Sequence, residues 1–203
     1  MRTSERSTLT RIRWGGATAI LAGLSYGAAG YLDKPGISAH TSALVSALSV
    51  TTPSLFLVSL VGLRSRVLLG TRGSAARSLT TEAGFLLGCL GTVLGIVNVN
   101  ALGLVPLLHL TWAREWWLAL LFAGLVLMGI AALPKQQTRL LGTLVLASGV
   151  IGLVSSLTDP AFPGALEPAR GVHVAFAAVF CMSAIAWGGV LLLRSRRLTR
   201  LRP

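Results

Sequence analysis

Six long apolar segments divide this chain, and short arginine-rich segments separate them. Each apolar segment has the length of a helix that crosses the roughly 30 Å hydrocarbon core of a bilayer. The pattern therefore predicts an all-α integral membrane bundle of six transmembrane helices, formed by a single domain over residues 1–203. The predicted spans are residues 14–32, 37–63, 83–105, 116–133, 140–157 and 171–193.

The composition agrees with a membrane protein and argues against several other classes. Charged residues make up only 12% of the chain, about half of their usual share in a soluble domain, and 53% of the residues are hydrophobic. The net charge is +12, but the basic residues are not interleaved with aromatics in one patch, so we expect no nucleic-acid partner. No Walker A, GxGxxG or GxSxG motif is present, which leaves nucleotide hydrolysis and serine hydrolysis unsupported.

The basic residues predict the orientation of the chain. Of its 18 lysines and arginines, 15 lie in the two tails and in the second and fourth loops, all of which fall on one side of the predicted topology. Under the positive-inside rule this side is cytoplasmic, so both termini are expected in the cytoplasm. The basic C-terminal tail should also attract anionic lipids at that face. The excess of arginine over lysine indicates a high-G+C genome, and hence a bacterial plasma membrane.

Two alternatives to this topology follow from the sequence. The first apolar segment has a basic start and small residues at 28–30, so cleavage as a signal peptide would leave five helices. The six segments also permit three consecutive helical hairpins, each beginning with a glycine-rich helix.

A stripe of glycines marks one face of the third segment. These glycines are spaced four, three and four residues apart, and a shorter set lies on the first segment. Glycine at such spacing lets two helix backbones approach closely in lipid, so the stripe predicts helix packing within the chain, with a dimer seam or a substrate path as alternatives. The predicted packing residues are Gly84, Gly88, Gly91, Gly95, Gly23 and Gly27.

A polar stripe on the second segment is the best candidate for a ligand-facing surface. Its serines are spaced four and three residues apart and precede Pro53, and two asparagines lie in the outer part of the third segment. Hydroxyls in a membrane helix are tolerated when they bond to their own backbone, but such a stripe also builds the wall of a polar cavity. The candidate ligand-facing residues are Ser42, Ser46, Ser49, Asn98 and Asn100.

Three histidines, His40, His109 and His173, fall near the outer end of a returning segment or just before it. Neutral imidazoles that converge at one level can hold zinc or another divalent metal, although no HxxxH or HExxH spacing supports such a site. Cys89 and Cys181 lie inside apolar segments and are expected to be small buried hydrophobes.

These features favour a non-enzymatic membrane protein that binds lipid or a small ligand, or serves as a component of a membrane complex, as a homo-oligomer or with another membrane protein. No catalytic residue is predicted, and the cofactor stays open, with zinc or another divalent metal as the candidate. One alternative is a metalloenzyme that uses the three histidines at its outer face. The other is a small uncoupled transporter or channel, since no charged residue lies inside a predicted span to couple transport to ions.

The histidine hypothesis predicts near-stoichiometric zinc or another divalent metal in protein purified without an affinity metal, and its loss from a His173→Ala variant, because each imidazole supplies one of only three or four ligands. Elemental mass spectrometry of both proteins measures this. Metal-free wild-type protein would contradict the hypothesis.

Overall fold

Helices account for nearly all of the described chain. The structure is a computed structural model, and it describes residues 3–32, 38–71, 74–100, 111–157 and 170–200. No strand occurs within those ranges, so the predicted all-α bundle of six helices is confirmed. The helices are α1 (Thr3–Leu32), α2 (Ser38–Thr71), α3 (Ala75–Asn100), α4 (Thr111–Ala132), α5 (Gln136–Leu157) and α6 (Arg170–Arg200).

Four helices contain segments that are long and apolar enough to span a membrane. These segments are Ala47–Gly70, Ala75–Val97, Gln136–Ser156 and Ala175–Ser195, and α4 contributes the shorter apolar stretch Trp116–Ala132. Helix α1 is less apolar than these, because glycine, threonine, serine and tyrosine dilute its leucines and alanines. It nevertheless packs along α2 and α6, both of which contain a spanning segment.

Several helices continue beyond the predicted apolar spans. Helix α2 runs to Thr71 instead of ending at residue 63, and α6 runs to Arg200 instead of 193. Arginine is a good helix former, and neither extension contains a proline, so the backbone has no reason to unwind where the apolar run ends. Residues assigned to a loop from their charge, Arg64 and Arg66 among them, therefore lie on helical turns.

The helices form a closed ring in chain order. Each helix packs against the next one, and α6 packs against α1. Neighbouring helices run antiparallel, so the three predicted hairpins are present as pairs. If α1–α2, α3–α4 and α5–α6 are the hairpins, then α4 with α5 and α6 with α1 are contacts between hairpins. Both are more extensive than the contact within the α5–α6 hairpin, so a ring describes the bundle better than three separate hairpins. Helix α2 also reaches α4, α5 and α6 across the interior.

Glycines allow α1 to lie directly on both of its neighbours. A Cβ added to Gly15 would lie 2.5 Å from the Cα of Gly62 on α2, and one added to Gly16 would lie 2.8 Å from the carbonyl oxygen of Gly188 on α6. Farther along α1, a Cβ on Gly23 would lie 3.0 Å from the carbonyl oxygen of Cys181. Helix α1 therefore fills the space between α2 and α6 with backbone in place of side chains.

The glycine stripe of α3 faces α4 of the same chain. A Cβ on Gly84 would lie 2.8 Å from the carbonyl oxygen of Gly124, and one on Gly95 would lie 2.7 Å from the indole ring of Trp117. Gly88 lies between helices, close to the backbone of Gly124 on one side and to Leu60 of α2 on the other.

A short turn joins α4 to α5 at the end of the bundle where α1 begins. The Thr138 hydroxyl donates a 2.7 Å hydrogen bond to the carbonyl oxygen of Ala132, and the Thr138 backbone N–H donates to the carbonyl oxygen of Lys135 at 2.9 Å. Pro134 follows the last helical residues and prevents α4 from continuing. The turn thereby satisfies a carbonyl group at the C-terminus of α4 and fixes the start of α5.

The outer surface carries large apolar side chains. Met182 is 71% exposed, Leu86 65% and Leu90 50%, all within segments long enough to span a membrane. A soluble protein rarely exposes a continuous apolar surface of this kind, whereas lipid tails accept it without cost. The bundle is therefore that of a multi-pass membrane protein.

Substitution of Gly91 by alanine should destabilise the bundle. The added Cβ would lie 2.5 Å from the backbone nitrogen of Leu121 and from the carbonyl oxygen of Trp117, and neither backbone can move without displacing α4. We expect a loss of about 1–3 kcal/mol, typical of overpacking, measured as a lower midpoint of thermal unfolding in detergent.

Gly189→Ala provides the matched control for that substitution. Apart from its own stretch of helix, no described atom lies within 4 Å of the added Cβ, so the same change reduces backbone flexibility without a clash and should leave the midpoint unchanged or slightly raised. Equal midpoints for the two variants would contradict close packing of α3 on α4.

Candidate functional site

The hydroxyls of the α2 polar stripe bond to their own helix where the structure describes them. The Oγ of Ser49 donates a 2.8 Å hydrogen bond to the carbonyl oxygen of Val45, and Thr52 donates likewise to Leu48 at 2.8 Å. Pro53 has no backbone N–H, so it cannot donate the helical hydrogen bond that the carbonyl oxygen of Ser49 would otherwise accept from the residue four positions later. Ser49 thus offers oxygen acceptors, while its hydroxyl proton is already engaged.

The other four candidate ligand-facing side chains, those of Ser42, Ser46, Asn98 and Asn100, lie outside the described part of the structure. The backbone register still relates the two helices that carry them. Gly88 of α3 lies beside Leu60 of α2, so residue 98 lies at about the level of residue 50. The α2 serines and the α3 asparagines therefore belong to the same end of the bundle, and a shared polar surface there stays a prediction.

The three histidines also fall outside what the structure describes in side-chain detail. His40 lies in the first turn of α2 and His173 in the first turn of α6, and both helices begin at the same end of the bundle. His109 lies outside the described residues. Among the described residues there is no group of three histidine, cysteine or acidic side chains that could hold a metal ion. The side chains of the three histidines are not part of the described residues. The metal site therefore stays a prediction.

Aromatic side chains from four helices fill part of the bundle interior. The ring of Phe180 on α6 lies 4.7 Å from that of Phe122 on α4, 5.7 Å from Phe56 on α2 and 5.6 Å from Tyr26 on α1, measured between ring centroids. The three phenylalanines are each 1% exposed. Edge-on geometry, as between Phe180 and Phe122, is the favoured arrangement of such rings. This aromatic cluster fills the interior between α1, α2, α4 and α6.

Buried hydroxyls around this cluster are satisfied locally. Ser148 of α5 donates a 2.7 Å hydrogen bond to the Oγ of Ser183 on α6, and this bond joins two helices at a buried level. Ser59 and Thr92, both fully buried, bond to carbonyl oxygens of their own helices. A different buried donor, the indole Nε1 of Trp187, has no hydrogen-bond partner among the described residues.

The described cationic side chains collect at one end of the bundle, where α1, α3 and α5 begin and α2, α4 and α6 end. We call this the basic end. Its described lysine and arginine side chains are Arg11, Arg13, Arg64, Arg66, Arg77, Lys135, Arg139 and Arg194. They come from the separate basic segments of the sequence and are brought together by the antiparallel alternation of the helices.

Arg64 at the basic end is fully paired. Its Nε and Nη2 donate hydrogen bonds of 2.8 and 2.7 Å to the two carboxylate oxygens of Glu82 on α3. Its guanidinium also lies 4.9 Å from the centroid of the Phe85 ring. Both partners of the ion pair are about one-third exposed, so the pair orients α2 on α3 and contributes little net stability.

Arg66, two residues later, is in a different environment. It is only 9% exposed, and its Nε has no hydrogen-bond partner within the described part of the chain. Its Nη2 reaches the carbonyl oxygen of Gln137, in the first turn of α5, at the long distance of 3.5 Å. A buried guanidinium with so few hydrogen bonds is the clearest unsatisfied polar group at the basic end.

Arg66 was not predicted as a candidate site residue, because the predicted spans 37–63 and 83–105 place it in the loop between them. The relevant signal was present in the spacing of the buried residues. Ser59, Leu63, Arg66 and Gly70 follow one another at intervals of four, three and four, so Arg66 falls on the same buried face as its neighbours. Arg64 falls off this face and is therefore free to reach Glu82.

No family model, no curated protein and no solved structure matches this chain. Its function is therefore argued from its own geometry.

Substitution of Phe180 by alanine should strongly destabilise the bundle, because this ring contacts aromatic rings of three other helices. We expect a loss of about 3–5 kcal/mol, the range for removal of a buried phenylalanine. The adjacent Val179, 47% exposed, gives the control: Val179→Ala should change stability by about 0.5 kcal/mol or less in the same thermal or denaturant unfolding experiment. Similar losses for both variants would show that the interior is not packed around Phe180.

Proposed function

We propose that this chain is a non-enzymatic multi-pass membrane protein that binds anionic lipid at its basic end. The observation that carries the proposal is the collection of cations from five helices at that end. Clustered arginines and lysines next to membrane-spanning segments attract anionic headgroups, and each contributes about 1 kcal/mol near the membrane surface.

The filled interior favours binding over conduction. Phe56, Phe122, Phe180 and Trp187 are buried inside the bundle, and backbone contacts at glycines close the seams between helices. A path for a solute needs space or a continuous line of polar groups, and these large side chains oppose both. The proposal therefore places lipid and protein partners at the outside of the bundle.

The basic end is assigned to the cytoplasm as part of the same proposal. The positive-inside rule supports this orientation for the termini, and the arginine-rich composition supports a bacterial plasma membrane as the location. The exposed apolar side chains of α3 and α6, such as Leu86 and Met182, offer a surface to lipid, to a second copy of the chain or to another membrane protein.

The lipids that remain bound after purification in mild nonionic detergent test the proposed function. We expect phosphatidylglycerol or another anionic phospholipid to be enriched several-fold over its share of the source membrane, and this enrichment to fall in high salt, which screens exposed charges. Mass spectrometry of the bound lipids measures both effects. A bound fraction with the composition of the membrane extract, at low and high salt alike, would contradict lipid binding.

Proteoliposomes supply the complementary measurement. If the bundle binds lipid and does not conduct, vesicles that contain it should retain a small fluorescent solute as long as protein-free vesicles do. Rapid release that depends on the protein would support the transporter alternative in place of the proposed function.

A further inference from the structure

Arg66 is buried, and no described acidic side chain is paired with its guanidinium. The side chain is 9% exposed, and its Nε has no hydrogen-bond partner within the described part of the chain. Burial of a guanidinium without hydrogen bonds to a counter-charge is unfavourable, and burial without an anion is rare. The Nε–H of Arg66 can therefore donate to an anion that the described side chains do not supply.

The surroundings of Arg66 add positive charge. Arg194 of α6 is near enough to interact unfavourably with it. Its Nη2 approaches Gln137 in the first turn of α5, a helix of 22 residues whose N-terminus carries a partial positive charge. Glu82 is the only acidic residue whose side chain the structure describes, and both of its oxygens are bonded to Arg64.

The guanidinium of Arg66 and its position along the membrane-spanning segment indicate one class of ligand. A guanidinium fork binds phosphate oxygens with its N–H donors, and the partial positive charge of a nearby helix N-terminus favours the same anion. Arg66 lies four residues before the end of the apolar segment Ala47–Gly70, at the boundary between hydrocarbon and headgroups. Lipid phosphates lie at this boundary.

We propose that Arg66 and the first turn of α5 form a phosphate-binding site that takes the headgroup phosphate of an anionic lipid. The inference deepens the proposed function and rests on it, since it assigns one specific site to lipid that the basic end as a whole would attract. Free inorganic phosphate offers the same oxygens and is distinguished from lipid by experiment.

The test uses the full chain, purified and delipidated in a nonionic detergent, in three versions: wild type, Arg66→Gln and Val179→Ala. Val179 is an exposed residue of α6 outside the basic end, so its replacement leaves the site and the surrounding cations unchanged. Each protein is titrated with phosphatidylglycerol, with phosphatidylcholine and with inorganic phosphate. Native mass spectrometry gives the affinity for the first lipid bound, and thermal unfolding gives the shift in Tm.

We expect phosphatidylglycerol to bind wild type and Val179→Ala with similar affinity and to bind Arg66→Gln about tenfold more weakly, as for the loss of a hydrogen bond between charged groups. In the absence of lipid, Arg66→Gln should unfold at the same temperature as wild type or higher, because the unpaired charge is gone. A purely structural role for Arg66 predicts the opposite pattern, a lower Tm without lipid and an unchanged response to lipid.

An Arg66→Lys variant keeps the test decisive if Arg66→Gln does not fold. Lysine keeps the charge but removes Nε and the planar fork, so we expect a several-fold loss of affinity for phosphatidylglycerol. Stabilisation of wild type by inorganic phosphate as well would support the site with free phosphate as a second ligand, and stabilisation by lipid alone would support the headgroup.

The two proposals fail in different ways. Wild type that shows no preference for phosphatidylglycerol over phosphatidylcholine would overturn the proposed function together with the site. A preference that persists with unchanged affinity in both Arg66 variants would overturn the site and leave lipid binding at the basic end standing.

Discussion

Contact between helix backbones at glycines is the constraint on which this bundle depends. In lipid there is little gain from burying apolar side chains, so helices associate where their surfaces approach most closely. Here α1 meets α2 at Gly15 and Gly62, and α3 meets α4 along a stripe that includes Gly84 and Gly91. These contacts set the distances between helices, and the large side chains of α2, α4 and α6 fill the space that remains inside.

The same close packing determines where polar groups are tolerated. Hydroxyls in the interior bond to their own helix or, for Ser148 and Ser183, across one interface. The described charged side chains lie at the basic end, where most of them are near water and headgroups. Arg66 is the exception, because it lies on the buried face of α2 that continues to Gly70 and is carried inward.

Much of the fold was predictable from the sequence, because a bilayer imposes a simple rule on chain length and hydropathy. The number of helices follows from the number of apolar segments in the chain. The glycine face of α3 follows from the spacing of glycines within its own segment. The partner of that face does not, because nothing within α3 indicates that Gly91 lies against Leu121. The aromatic cluster around Phe180 was equally hidden, since it joins residues from four segments that are distant in the chain.

Closure of the ring by its first and last helices has a consequence for how the protein is made. The glycine face of α1 at Gly16 and Gly23 is covered by α6, whose residues are synthesised about 170 positions later. At the usual rate of about 5–20 residues per second, α1 waits on the order of ten seconds or more for that partner. Helix α1 is also less apolar than the spanning segments that follow it, and α2 is the neighbour that it can contact during this interval. We therefore expect the α1–α2 pair to form first and the contact of α1 with α6 to close the ring last.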